Sequence, residues 1–110
     1  MVTVCMLKQG GEIVGFEASG HAGFSRDGDG DIVCSAVSAL TQTIALGLTQ
    51  RLQLPVGLSI QEGDMYCVLG RECTSEQCAQ AGVLFDTLLL GLRSMEIAYG
   101  KYLNITEREV

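Results

Sequence analysis

The chain has 110 residues, 47% of them hydrophobic and 18% charged, which excludes a disordered chain and predicts a single domain, residues 1–110, able to bury its own core. A formal net charge of −6 argues against direct nucleic-acid binding, which needs a basic surface, and favours the approach of basic partners. The start, Met1-Val2-Thr3-Val4-Cys5, has neither the basic segment nor the apolar run of a secretory leader, so the odd set of five cysteines is expected as free thiols in a reducing cytoplasm.

Val2–Leu7 reads as a first strand, and Gln9-Gly10-Gly11 as the turn of a hairpin, because glycine supplies the positive φ such a turn needs. Ile13–Ser19 is the second strand, with Val14, Phe16 and Ala18 on one face. The segment Gly20–Gly30 carries Gly20, Gly23, Gly28 and Gly30 and reads as a mobile loop whose backbone can approach a ligand closely. A helix is expected from Asp31, a good capping residue, to about Leu52, with Val33, Val37, Leu40, Ile44 and Leu48 forming its apolar stripe and Pro55 marking the stop. Val56–Gln61 and Met65–Leu69 read as a second hairpin around Glu62-Gly63-Asp64. Thr74-Ser75-Glu76-Gln77 fits a capping box that opens a long helix to about Tyr99, and Leu103–Val110 is either an edge strand or a frayed end.

This order, ββαββα with a possible final strand, predicts an α+β two-layer sandwich: two helices on a small, mostly antiparallel sheet. The second helix is apolar on more than one face, through Val83, Leu84, Phe85, Leu88, Leu89, Leu90 and Leu92, so a homodimer is expected to cover the surplus. The apolar stretch near Val83–Leu92 is broken by Asp86, and no membrane span is expected.

The chemistry concentrates around Cys34. With Asp31 as cap, Cys34 falls in the first helical turn, where the dipole and the unpaired amides favour a thiolate. His21, the one histidine of the chain, stands across the glycine loop and can close on the sulfur as its base. Asp31, Cys34 and Ser38 are spaced i, i+3, i+7 and share a helix face. Asp31 either orients the imidazole or only caps the helix, and Ser38 can place a hydroxyl near the thiol or a substrate. Against this stand the ordinary roles of a helix cysteine as a small core residue and of a histidine beside glycine as a turn residue.

Other motifs carry less. Asp27-Gly28-Asp29-Gly30-Asp31 begins like a calcium loop, but Ile32 replaces the required glycine and Ser38 the closing glutamate. Cys67, Cys73 and Cys78 lack a CxxC knuckle, so neither a metal nor another cofactor is expected.

The run Ser19-Gly20-His21-Ala22-Gly23, followed by Gly30-Asp31-Ile32-Val33-Cys34-Ser35-Ala36-Val37-Ser38-Ala39-Leu40, closely resembles the ribosomal-processing cysteine protease family Prp of bacteria. The resemblance extends over nearly the whole chain. It implies a homodimeric cysteine endopeptidase that removes the N-terminal extension of large-subunit ribosomal protein number twenty-seven. His21 falls on the family's histidine, Cys34 on its nucleophile, and Asp31 and Ser38 on supporting positions, with the histidine loop ordering around substrate. Ser35 stands where alanine is common in relatives. The competing expectation is a non-enzymatic dimeric module that binds a ribosomal partner and keeps its cysteine for packing.

Overall fold

A computed structural model describes residues 1–20, 29–61 and 63–110, with the backbone alone for 29–31. Strand β1 (Val2–Gln9) turns at Gly10 and Gly11, both at positive φ, into β2 (Glu12–Ser19). Helix α1 (Asp29–Leu46) follows, then β3 (Val56–Gln61), β4 (Asp64–Leu69), α2 (Ser75–Tyr99) and β5 (Leu103–Glu109). The sheet order is β3-β4-β2-β1-β5, antiparallel throughout except that β5 runs parallel to β1. The expected α+β sandwich is therefore present, and the C-terminal segment is its fifth strand. β5 is tied to β1 at both ends, by Val2 N–H donating to the Tyr102 carbonyl at 2.8 Å and Val110 N–H to that of Lys8 at 2.8 Å.

The register explains the core. Val4 pairs with Ala18 and Met6 with Phe16, and these continue onto Met65 and Cys67 of β4 and Ile105 of β5, so one sheet face presents contiguous apolar rows. Val33, Val37 and Ala45 of α1 and Phe85, Leu88 and Leu92 of α2 pack on that face in one cluster. Phe16 and Phe85 meet edge to face, with ring centroids 6.3 Å apart and planes at 73°. The alternation Val14-Phe16-Ala18 holds only from Phe16 on. A register shift between Leu7 and Lys8 leaves Val14 half-buried and turns Ile13, 8% exposed, into the core. The bulge inserts one residue and reverses the phase of the strand.

Both ends of α1 depart from expectation. It begins at Asp29, so Asp31 is its third residue and does not cap it, and Gly30 belongs to the helix rather than to the loop. A cap must stand outside helical geometry, whereas acidic residues at 29 and 31 both suit the positive end of the helix within its first turn. At the other end α1 passes at Leu46 into a π-helical turn, Gly47–Arg51, instead of running on regularly to Leu52. Gly47 lies under α2, where a β-carbon would meet Leu84 Cδ1 at 3.1 Å. The helical run ends at Arg51, and Gln53, at φ 54, turns the chain before Pro55 is reached. Ile32–Arg51 is also long and apolar enough, by length and composition, to cross a membrane, which the expectation of no such segment overlooked. In the fold its Val33, Val37, Ala45 and Leu48 belong to the domain core.

The capping box of α2 is present in both directions. The Thr74 hydroxyl accepts from Gln77 N–H at 3.1 Å, and Thr74 N–H donates to Gln77 Oε1 at 2.8 Å. Thr74→Ala is expected to lower stability by about 1 kcal/mol in urea denaturation, and Thr74→Ser by much less. Surface ion pairs, Lys8–Glu107 at 3.5 Å and Arg108–Glu17 at 2.9 Å, tie β5 to β1 and, across it, to β2, but are exposed to solvent and screened.

Cys67 is fully buried beneath the helices, and burial pushes its thiol from 9.0 up to about 11. The unfolded chain releases this proton near the ordinary value, while the folded chain holds it. The associated stability is complete below about pH 9 and lost as pH rises towards about 11. Cys67→Val should therefore flatten the alkaline loss of stability over this window, measured as urea midpoints for the variant against the parent.

Candidate active site

A cleft of about 190 Å³ opens between α1 and the strand ends facing it. Cys34, Val37, Ser38, Thr41 and Gln42 form the α1 wall. The opposite wall comes from Ser19 and Gly20 at the end of β2 and from Ile60, Gln61, Gly63, Asp64 and Met65 of the second hairpin. Cys34 is half-buried: its side chain packs against the core cluster while lining the cleft. Ser38, one turn on, lines the same cleft and is exposed, so the face shared by these two residues is the face that meets the cavity. Thr41 also lines it, but its hydroxyl donates to the Val37 carbonyl at 2.8 Å and serves the helix.

The earlier start of α1 changes the local electrostatics. Cys34 is the sixth helical residue, one turn beyond the unpaired amides of the helix start. The dipole acts mainly within the first turn, and position 34 lies beyond it. His21, Gly23 and Gly28 lie outside the described residues, as does the side chain of Asp31. The structure therefore brings Cys34, Ser38 and Gly20 to one cavity.

Gly20 is the last described residue before the histidine. Its φ is +88°, and its N–H donates to the Gly63 carbonyl at 3.0 Å, which fastens the exit of β2 to the turn of the second hairpin. A β-carbon there would fall 2.5 Å from the Met1 carbonyl oxygen. Gly20→Ala is expected to cost about 1–3 kcal/mol, through both the positive φ and the clash, read as a lowered urea midpoint.

Gln42 was legible in principle, since residues 34, 38 and 42 step by four along one helix face. Ser19, Gln61 and Asp64 carry no local signal, because strand pairing alone brings them opposite α1. Beyond Gln42 and Ile60 the cleft continues into an apolar groove between α1 and β3, lined by Ala45, Leu46, Thr49 and Leu58. Leu58 and Ile60 point to the helix side yet remain 43% and 56% exposed, because α1 does not cover the edge strand.

A family model described as cysteine protease Prp matches residues 1–104. Among solved structures, SMU.848 from Streptococcus mutans superposes with a TM-score of 0.82 at 24% identity, over 100% of this chain and 96% of that one. The essential ribosomal processing protease Prp from S. aureus superposes with a TM-score of 0.83 at 18% identity in complex with a substrate peptide. With a covalently linked product peptide it gives 0.81 at 20% identity. Each of the two covers 98% of this chain and 100% of its own. At these identities the superpositions establish the fold. No curated protein sequence matches the chain.

Proposed function

The chain belongs to the Prp cysteine protease family, and on that premise we propose that it is an endopeptidase using Cys34 as nucleophile and His21 as base. The carrying observation is the half-buried Cys34 on the wall of a cleft that runs on into a groove along an edge strand. An extended peptide fits such a channel: backbone and polar side chains meet Ser38, Gln42, Gln61 and Asp64, and an apolar side chain lies over Leu58 and Ile60. His21 takes the Cys34 proton, the thiolate attacks the scissile carbonyl, and the imidazolium returns the proton to the leaving amine. Water activated by the same histidine then releases the acyl group. Since the dipole contributes little at the sixth helical residue, activation falls chiefly to His21. Asp31 supports that imidazole rather than the helix cap.

The proposed substrate is the N-terminal extension of large-subunit ribosomal protein number twenty-seven, cut in the cytoplasm. A basic ribosomal protein suits the net charge of −6. The test is incubation with the full-length precursor and mass determination of the products. One internal cut that shortens the N-terminus is expected, and an intact precursor overturns the substrate assignment. The competing binding module is distinguished by thiol reactivity: iodoacetamide near neutral pH should label Cys34 ahead of Cys5, Cys67, Cys73 and Cys78, and equal or absent labelling favours the binding module.

A homodimer through α2 completes the proposal. Val83, Leu90 and Ile97 recur every seven residues and are 65%, 71% and 90% exposed, three apolar side chains on the face of α2 turned away from the core, with the exposed Asp86, Thr87, Arg93 and Ser94 between them. Leu90→Glu should shift the sedimentation coefficient from dimer to monomer.

A further inference from the structure

Cys73 and Cys78 bracket the capping box of α2. With Thr74 as the cap, Cys73 is the residue before it and Cys78 the fourth residue of the helix. Side chains at these two positions pack together across the first turn as a staple, normally with apolar residues. Here both positions are free cysteines, both half-buried, and Cys78 adds to the electrostatic environment that raises the Cys73 thiol. The two differ in access. Cys78 lines a pocket of about 260 Å³ between α2 and the first hairpin turn, together with Gly11, Glu12, Gly82 and Asp86. Cys73 is not part of that lining, and its thiol donates to the Pro55 carbonyl at 3.7 Å, just ahead of β3.

We propose that Cys78 and Cys73 form a thiol–disulfide exchange site, in which Cys78 takes a small cationic disulfide in this pocket and Cys73 resolves it into an internal Cys73–Cys78 bond. The Cys78 thiolate attacks one sulfur of the small disulfide, whose S–S bond breaks, and one thiol product leaves with a proton. Cys73 then loses its proton to solvent and attacks the Cys78 sulfur, which expels the second thiol. Two protein thiols are oxidised and one disulfide is reduced to two thiols, so the electrons balance. Glu12 and Asp86 at the pocket favour a cationic reagent over an anionic one such as glutathione disulfide. Desolvation is the chief cause that raises the Cys73 thiol, so the resolving step should quicken with rising pH.

The test uses the full chain and cystamine, followed by acid quenching, trypsin without reductant, and mass analysis of the peptide from Glu72 to Arg93, which holds both cysteines and no other. The parent is expected to show a loss of two hydrogen masses and no retained adduct. Cys73→Ser should keep one cysteamine on Cys78, and Cys78→Ser should leave Cys73 unmodified over the same time. A parent peptide that keeps its adduct, or that stays a dithiol while the Cys34 peptide is modified, overturns the proposal.

Discussion

Cys34→Ala protein is expected to leave the ribosomal-protein precursor uncut, with the rate falling by roughly four orders of magnitude or more. The substitution removes the only atom at position 34 able to form an acyl intermediate. It takes a single sulfur from a half-buried site, so its cost to folding should be about 1 kcal/mol or less. The variant should keep the parent's unfolding midpoint and bind the uncut extension, and it becomes the natural trap for the enzyme–substrate complex. Cleavage at the parent rate with Cys34 absent would end the assignment of the nucleophile. His21→Ala should show a smaller loss, about 10²–10⁴-fold, since a base accelerates the step without providing the bond.

Phe85→Ala is expected to produce the largest loss of stability. Phe85 and Phe16 are both 0% exposed and meet edge to face at the centre of the cluster that joins α2 to β2. Truncation leaves a cavity walled by strands and helices that cannot collapse into it, at about 3–5 kcal/mol. Domains of this size are stable by about 5–15 kcal/mol, so a large part of the total disappears. The thermal midpoint should fall by roughly 10–20 °C. Val83→Ala, at an exposed position of the same helix, should move the midpoint of the monomeric chain only slightly. Equal effects from the two would contradict the packing described for α2.

The fold and the site were legible to different depths, and the boundary follows the range of the interactions. Local chemistry is written into neighbouring residues. The turn at Gly10-Gly11, the box from Thr74 to Gln77 and the hairpin turn at Gly63 all formed where residue type and spacing predicted. The four-step spacing of Cys34 and Ser38 likewise placed both on one face, whichever residue began the helix. Boundaries set by competition were less legible. Asp31 has the chemistry of a cap, but Asp29 and Gly30 also enter the helix, and that choice moved Cys34 from the first turn to the second. Val14 carries the right alternation, but a bulge against β1, invisible to a period of two, turned Ile13 inward instead.

The sequence by itself determined the α+β class, the surplus apolar face of α2 and the candidate pair of Cys34 and His21, because periodicity, capping and residue chemistry act over a few residues. Only the tertiary structure decided what faces Cys34. Ser19, Gly20, Gln61 and Asp64 come from separate segments, and strand pairing, Gly20 N–H to Gly63 among its bonds, sets them across the cleft from α1. The same holds for the groove beside β3, which exists because α1 stops short of covering the edge of the sheet. A contact between residues distant in the chain depends on how whole elements pack, and no local spacing encodes it.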